Sequence, residues 1–209
     1  MPSLREAQKQ LTRDTIVERA LELFTSKGYA ATTIDEIAAA AGTTRVTFYA
    51  YYPSRTDLMK DFMARVNAVL DRSSEPGRPS TAAELVDVVR SGELAGILAW
   101  IESRAELWPV FRPYLDVLSD AAAVDADVRS MLEAWNEEVI SDMVRGMELA
   151  GRFPAETRHL RGTLAYKQLD YVATLWTRRR MEPNREHAVE VLADSWHHLL
   201  CGADGGVLP

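Results

Sequence analysis

Hydrogen-bonding side chains are concentrated in one short stretch, TTRVTFYAYYPSR, which covers residues 43–55. Three threonine hydroxyls and the guanidinium of Arg45 fall within its first five residues, and four aromatic residues lie in the next five. In the major groove of DNA, an arginine can hold guanine O6 and N7 with two hydrogen bonds, and a threonine can donate, accept or touch a thymine methyl group. Tyrosine hydroxyls can reach phosphates. The stretch therefore has the chemistry of a nucleic-acid-binding segment.

A second chemically active group lies near the end of the sequence, where His197 and His198 precede Cys201. A thiol beside an imidazole base is the arrangement of a nucleophilic enzyme. The following residues, GADGGVLP, offer no evident oxyanion donor, and two histidines alone do not define a metal site. We keep an enzyme as an alternative, and we predict no catalytic residue, no metal and no cofactor.

The spacing of apolar residues predicts helices throughout the chain. Intervals of three and four recur in almost every long segment, and no alternating run indicates a strand. An apolar stripe from Ile16 to Phe24 predicts a first helix that ends at Gly28. Thr33 and Glu36 have the spacing of a capping box, which predicts a second helix that ends at Gly42. The fold class is therefore predicted to be all-α.

The hydroxyl-rich and aromatic stretch falls on a third predicted helix, over residues 44–51. Pro53 separates it from a fourth helix, predicted over 54–73, and a loop is predicted over 73–81. Two short helices joined around Gly42, the second beginning with small polar side chains, are typical of a helix-turn-helix. Six further helices are predicted at about 81–90, 92–104, 107–122, 126–150, 154–180 and 185–200.

Charge is divided unequally along the sequence. The net charge of −7 by itself argues against a polyanionic partner. Residues 1–60, however, carry eight Lys and Arg against seven Asp and Glu, whereas residues 61–209 carry 16 against 24. The first part can approach DNA, and the second cannot. We predict a DNA-binding domain at 1–53 and a helical effector-binding and dimerisation domain at 54–209, with the helix over 54–73 as their connection.

No segment of the sequence is a candidate for crossing a membrane, because no run of about 18 uncharged apolar residues occurs. The first ten residues carry charges where a secretory signal needs an apolar core. Cys201 is the only cysteine, which excludes an internal disulfide and favours a reducing compartment. We predict a cytoplasmic protein with no membrane partner.

Residues 12–60 resemble the TetR-type family of bacterial transcriptional regulators. The resemblance rests on a Gly-Tyr turn after the first helix, Thr-Thr-Ile before the second, Ala-Gly at the turn, Thr-x-Tyr in the third and Pro-Ser-Arg before the fourth. It implies base readers at Arg45 and Thr47. It also implies contacts to double-stranded DNA through phosphates at Thr33, Thr44, Tyr49, Tyr51 and Arg55.

The sequence departs from the family pattern at three positions of the third helix and its approach. Val46 stands where glycine is frequent, Ala50 where histidine or arginine is frequent, and Thr43 where valine is customary. The resemblance therefore carries no DNA contact over to Val46 or Ala50.

The candidate residues also have purely structural explanations. The threonines can serve only as helix caps, and Arg45 can be a solvated surface charge. Tyr49 and Tyr51 are harder to explain in this way, because two residues separated by one point to different sides of a helix and cannot both lie in the core. We expect these two to reach phosphates, and we expect Phe48 and Tyr52 to pack inward.

The family resemblance implies a ligand-responsive repressor that leaves its operator when a small-molecule effector binds. A homodimer is expected, because motifs of this class pair two half-sites. Candidate interface residues are apolar or aromatic positions of the last two helices: Tyr171, Leu175, Trp176, Leu192, Trp196 and Leu199. Candidate effector-binding residues are large apolar side chains of the middle helices: Trp100, Trp108, Phe111, Tyr114, Met131 and Trp135. For every residue of both sets, packing in the core is the alternative.

A helical interaction module that does not bind DNA is a further alternative. It predicts no retardation of any duplex, whereas a regulator binds DNA with an affinity that falls steeply with salt.

Overall fold

The computed structural model describes residues 3–72, 83–177 and 185–202. Within these ranges ten α-helices follow one another without a strand, which confirms the predicted all-α class. A π-helical turn, His197–Cys201, continues the last helix. The helices are α1 Leu4–Lys27, α2 Ile34–Ala40, α3 Arg45–Tyr51, α4 Arg55–Val69, α5 Ala83–Ser91, α6 Leu94–Ala105, α7 Trp108–Ala122, α8 Ala126–Leu149, α9 Ala155–Thr177 and α10 Arg185–Trp196.

Helix α1 is longer than its apolar stripe predicts. It begins at Leu4, although its first buried residue is Ile16. Ser3 and Glu6 form a capping box: the Ser3 amide donates to Glu6 Oε2 at 2.6 Å, and the Glu6 amide donates to Ser3 Oγ at 3.3 Å. Apolar spacing does not predict these first turns, because they bury no side chain. The other helices begin and end within a few residues of their predicted bounds, except that α4 ends at Val69.

The predicted loop over 73–81, and the predicted helix ends at 81–82 and 178–180, fall outside the described ranges. In the part of the chain that the structure describes, no helix is both long enough and apolar enough to cross a bilayer.

The chain divides into two compact units. Unit 1 comprises Met1–Ala68 and Pro113–Glu133, and unit 2 comprises Val69–Arg112 and Ala134–Pro209. The first three helices and most of α4 thus share a unit with a segment much further along the chain. The functional boundary at residue 53 stays a prediction, because packing alone does not assign a function to either unit.

The core of unit 1 fixes the orientation of α3. Phe48 and Tyr52 are fully buried, as expected from the sequence, and their rings contact each other at 5.7 Å between centroids. The Tyr52 hydroxyl donates to Asp61 Oδ2 on α4 at 2.7 Å, and Arg13 Nη2 on α1 donates to Asp61 Oδ1 at 2.8 Å. Burial raises the pKa of the Tyr52 phenol, so this hydroxyl remains a donor at neutral pH. The end of α3 is thereby tied to both α1 and α4.

The turn between α1 and α2 is also held inside unit 1. The Tyr29 amide donates to Asp120 Oδ2 at 2.6 Å, and the Tyr29 hydroxyl donates to Asp125 Oδ2 at 3.1 Å. The other oxygen of Asp125 caps α8 by accepting from the Val128 amide at 3.2 Å. Burial raises the pKa of Tyr29 to about 12, so its phenol also stays protonated. These bonds therefore fix the position of the turn from which α2 begins.

Unit 2 has a core rich in tryptophan. The rings of Trp100 and Trp196 are stacked with centroids 5.5 Å apart, and the Trp196 indole donates to the Ala165 carbonyl at 3.0 Å. The interior of unit 2 also contains charge. Arg112, whose side chain is only 7% exposed, donates to Asp170 Oδ1 at 2.6 Å. A charge in this position needs its partner, because an arginine that loses its carboxylate in the interior destabilises the fold.

Candidate nucleic-acid interface

Helix α2 begins with the capping box that the sequence predicts. The Glu36 amide donates to Thr33 Oγ1 at 3.2 Å, and the Thr33 amide donates to Glu36 Oε2 at 2.8 Å. Lys27 Nζ lies 2.6 Å from Glu36 Oε1. The hydrogen bonds from Lys27 and Thr33 lower the pKa of Glu36 to about 2. The carboxylate therefore stays ionised and joins the end of α1 to the start of α2.

The turn between α2 and α3 depends on a glycine. Gly42 has φ +65°, a left-handed conformation that favours a residue without Cβ. Its amide donates to the Ala39 carbonyl at 3.1 Å, and the Thr43 amide donates to the Ala38 carbonyl at 2.9 Å. These two bonds close the end of α2 and direct the chain into α3, as a helix-turn-helix requires.

Helix α3 begins at a threonine cap. The Thr47 amide donates to Thr44 Oγ1 at 3.1 Å, and the two threonine hydroxyls lie 3.0 Å apart. One face of α3 is fixed by buried Phe48. The polar residues at its start therefore lie away from the core, where a groove of DNA can reach them.

Arg45 makes only surface interactions. Its Nη1 lies 3.0 Å from Asp35 Oδ2, and both side chains are more than half exposed. Its guanidinium also lies over the Tyr49 ring, 5.5 Å from the centroid. An exposed ion pair contributes at most about 1 kcal/mol, so Arg45 can exchange Asp35 for another acceptor at little cost.

A groove of about 340 Å³ lies between the start of α1 and the end of α3. Its lining includes the two cations Lys9 and Arg13 and the predicted phosphate contact Tyr51, and the remaining lining residues are Glu6, Gln10 and Ala50. This groove was not predicted, because its α1 side lies in the first turns of that helix. The signal that could have found it is the spacing of four between Arg5, Lys9 and Arg13, which places three cations along one side of a helix.

The structure places the predicted DNA-contacting residues in three situations. Arg45 and Tyr49 are exposed on α3, with 39% of Tyr49 accessible, and Tyr51 is half-buried beside the groove. Thr33, Thr44 and Thr47 are in or next to helix caps. Arg55 is engaged inside unit 1: it donates to the Tyr29 carbonyl, and its guanidinium lies 3.8 Å from the centroid of the Tyr29 ring. A phosphate contact by Arg55 stays a prediction, and this geometry gives it no support.

The predicted effector-binding residues are divided between the two units. Trp100, Trp108, Phe111 and Trp135 belong to unit 2 and are nearly or fully buried. Tyr114 and Met131 belong to unit 1, where the Tyr114 ring contacts the Phe62 ring edge-on at 5.2 Å. The six side chains therefore do not form one set within a single unit.

The predicted interface residues also differ in their surroundings. Leu192 and Trp196 lie in the core of unit 2, so neither side chain presents a surface to a partner. Leu175, Trp176 and Leu199 are partly exposed, and Tyr171 is 65% exposed. Leu160 and Leu164 are exposed on α9 as well. Helical geometry puts Leu160, Leu164 and Tyr171 on the same face of α9.

Two observations on His198 and Cys201 disfavour the enzyme alternative. His198 Nδ1 lies 2.9 Å from the carbonyl oxygen of Asp194, within its own helix. Burial raises the pKa of the Cys201 thiol, which disfavours the thiolate that a nucleophile needs. Among the residues described, no three His, Cys, Asp or Glu are grouped so that they could hold a metal ion.

Comparisons with known proteins agree with this helix-turn-helix. Residues 16–62 match the family model of bacterial regulatory proteins, tetR family. The HTH-type transcriptional repressor LfrR of Mycolicibacterium smegmatis is 30% identical over 138 residues, which span 63% of this chain and 71% of LfrR. The chain belongs to the TetR family. The resemblance of residues 12–60 is confirmed, and this TetR-family chain is a DNA-binding regulator of transcription.

Solved structures share the fold of this TetR-family chain. A TetR-like transcriptional regulator from Rhodococcus sp. RHA1 has a TM-score of 0.66 at 19% identity, with 92% of this chain and 97% of that chain covered. NalD, the secondary repressor of the MexAB-OprM multidrug efflux pump in Pseudomonas aeruginosa, has a TM-score of 0.64 at 21% identity, with 90% and 97% covered. At these identities the likeness concerns the fold alone.

Proposed function

We propose that this TetR-family chain is a homodimeric repressor that reads its operator with α3 and leaves it when a small-molecule effector binds. The main support for base recognition by α3 is that this helix has one buried face and one exposed face. Phe48 is buried, whereas Arg45 and Tyr49 are exposed. A helix that is held by one buried face and exposes Arg45 and Tyr49 elsewhere on its surface can enter the major groove without disturbing its own unit.

Base recognition is assigned to Arg45 and Thr47. Arg45 can hold guanine O6 and N7 with two hydrogen bonds after it leaves Asp35. Thr47 can use its hydroxyl on a base edge after it leaves Thr44. In each case a side chain gives up one weak surface interaction and gains a contact to DNA. The backbone of α3 does not have to change for this.

Phosphate contacts are assigned to Thr44, Tyr49 and Tyr51, together with the cations of the groove. Lys9 and Arg13 line the groove beside Tyr51. Cations next to a reading helix neutralise phosphates of the flanking strand and make binding dependent on salt. They position the helix and do not select a sequence.

The homodimer is assigned to the exposed face of α9 that carries Leu160, Leu164 and Tyr171. Three large apolar side chains on one exposed helix face gain free energy when a partner covers them. A dimer is also what this type of motif needs, because two half-sites about 34 to 36 Å apart give a specificity that one helix cannot.

Release by an effector is assigned to unit 2. An effector that binds the DNA-incompetent state more tightly shifts the population away from DNA by at most its own differential affinity. Support comes from the interior of unit 2, which combines large aromatic side chains with the buried charge of Arg112. Binding sites for small molecules are typically lined in this way, with apolar walls and a few fixed polar groups.

We propose no enzymatic activity, because burial raises the pKa of the Cys201 thiol and His198 is bonded to the carbonyl of Asp194. A regulator of transcription meets its DNA in the bacterial cytoplasm, which is the location we propose.

The central experiment selects bound duplexes from a random pool and then measures affinity for the selected operator and a scrambled duplex over a range of salt concentrations. We expect log affinity to fall linearly with log salt. Arg45→Ala should cost about 1–3 kcal/mol on the operator and relax the base preference, whereas Tyr49→Phe should weaken both duplexes alike. Arg145→Ala, which removes an exposed arginine of unit 2, is the control. Failure to retain any duplex at low salt contradicts the proposal.

A further inference from the structure

Val46 is the most exposed of the large hydrophobic residues of α3. It is 81% exposed, although it lies on the helix assigned to DNA reading. At 3.6 residues per turn, Val46 and Ala50 each lie roughly 160° around the helix axis from buried Phe48. Ala50 is exposed as well. The side of α3 that points most directly away from the core is therefore apolar, and polar residues flank it.

Folding does not account for a valine at this position. A β-branched residue loses side-chain freedom in a helix and disfavours it by roughly 0.5 kcal/mol relative to alanine. An exposed side chain recovers none of that through packing. The polar neighbours Arg45 and Thr47 each have a partner within unit 1, at Asp35 and Thr44. Val46 has the accessible apolar surface that an external partner can use.

The major groove offers one prominent apolar group to such a side chain. Its floor consists of hydrogen-bond donors and acceptors, except for the C5-methyl group of thymine. A valine pressed against a donor or acceptor removes water from that group and returns no hydrogen bond, which costs binding. Against a thymine methyl, the same contact buries apolar surface on both sides.

We infer that Val46 is a specificity-determining residue that selects thymine in the operator by packing on its C5-methyl group. The small side chain of Ala50, one turn further along the same face, leaves room for α3 to approach the base pairs. The inference rests on the proposed function, because it requires α3 to lie in the major groove. It adds a base contact at a position where the family pattern gave no reason to expect one.

The test uses the duplex selected by the wild-type protein. Each thymine of one half-site, and its symmetry mate in the other, is replaced in turn by deoxyuracil, which removes only the methyl group. We expect wild-type affinity to fall about three- to ten-fold at one position and to change little elsewhere. Val46→Ala should bind the unmodified operator three- to ten-fold more weakly, about as the wild type binds the demethylated one, and should be insensitive to uracil at that position.

Matched variants distinguish a base contact from a general weakening. Val124→Ala removes the same two methyl groups from another exposed valine of unit 1, and it should show the wild-type uracil profile. Because alanine favours the helix more than valine does, loss of folding cannot explain the Val46→Ala result, and circular dichroism should confirm an unchanged helix content.

Two results overturn the inference, and they differ in what else they overturn. If the wild type binds an operator but tolerates every uracil, or if Val46→Ala keeps the wild-type uracil profile, the thymine contact is wrong and the DNA-binding function stands. If no duplex is selected at all, the proposed function fails together with the inference.

Discussion

Helices α3 and α10 both carry aromatic side chains, but they place them differently. In α3, Tyr49 is accessible and only Phe48 is fully buried. In α10, Trp196 is 0% exposed, and its indole donates to the carbonyl of Ala165, 31 residues away. The start of α3 is set by local contacts at its cap and turn, and its end is tied to Asp61 through Tyr52, whereas Trp196 is held by a distant partner. Aromatic content alone therefore does not distinguish a binding surface from a core.

Two arginine–aspartate pairs, one in each unit, differ in the same way. The Arg45 side chain is 58% exposed beside Asp35, while the Arg112 side chain is 7% exposed beside Asp170. An exposed pair opens easily, and a buried pair does not. Arg45 is thus available to another acceptor, and Arg112 is held in place.

The largest expected effect is a loss of stability when the buried Trp196 is truncated. Trp196→Ala removes a fully buried indole that is stacked on Trp100, and it should destabilise the protein by about 3–5 kcal/mol. Urea unfolding followed by circular dichroism measures this loss. If Trp196→Ala instead unfolds like the wild type but no longer dimerises, Trp196 belongs to an interface and our assignment of it to the core is wrong.

A smaller effect is expected at the exposed face of α9. Tyr171→Ala should weaken the homodimer by about 1–2 kcal/mol, because truncation of a large aromatic residue within an interface costs this much or more. Sedimentation at several concentrations measures the dissociation constant. Val110→Ala, an exposed apolar truncation on α7, is the control and should leave the dimer unchanged. An unchanged dimer in Tyr171→Ala removes this face of α9 from the proposed interface.

A change of a few fold in operator affinity is expected when Arg45 loses its partner Asp35. Asp35→Asn removes the carboxylate that competes with DNA for Arg45, and it also removes a negative charge close to the phosphates. Operator affinity should rise about two- to five-fold at low salt and less at high salt, because salt screens exposed charges. The gain should shrink in the Arg45→Ala background. An equal gain with and without Arg45 means that the pair does not limit binding.

The smallest effect concerns the capping box that positions α2. The pKa of Glu36 is lowered from 4.5 to about 2 in the folded chain. A carboxylate with a lower pKa in the folded state stabilises fully above its unfolded pKa, and this contribution is lost as the pH falls through the folded value. The stability of the wild type should therefore decline more steeply than that of Glu36→Gln between about pH 4.5 and pH 2. Parallel declines in urea midpoints contradict an ionised Glu36 in the cap.

Features formed by neighbours in sequence could be predicted, and features formed by distant residues could not. The cap at Thr33 and Glu36 and the turn at Gly42 involve neighbours in sequence, so their spacing could reveal them. The side chain of Trp196 could not be placed, because helical spacing says that one face is buried but not what covers it. The first turns of α1 escaped for the opposite reason, since a helix that buries nothing has no apolar period.

The accessible position of Val46 has a consequence for how regulators of this kind diverge. Its side chain contributes almost nothing to packing, so a codon change there leaves the fold intact, while Phe48 and Tyr52 two and six positions later are constrained by the core. After gene duplication, one copy can acquire a new target site through substitutions on this outward side of α3 alone. Selection can then separate the two copies without passing through an unstable intermediate.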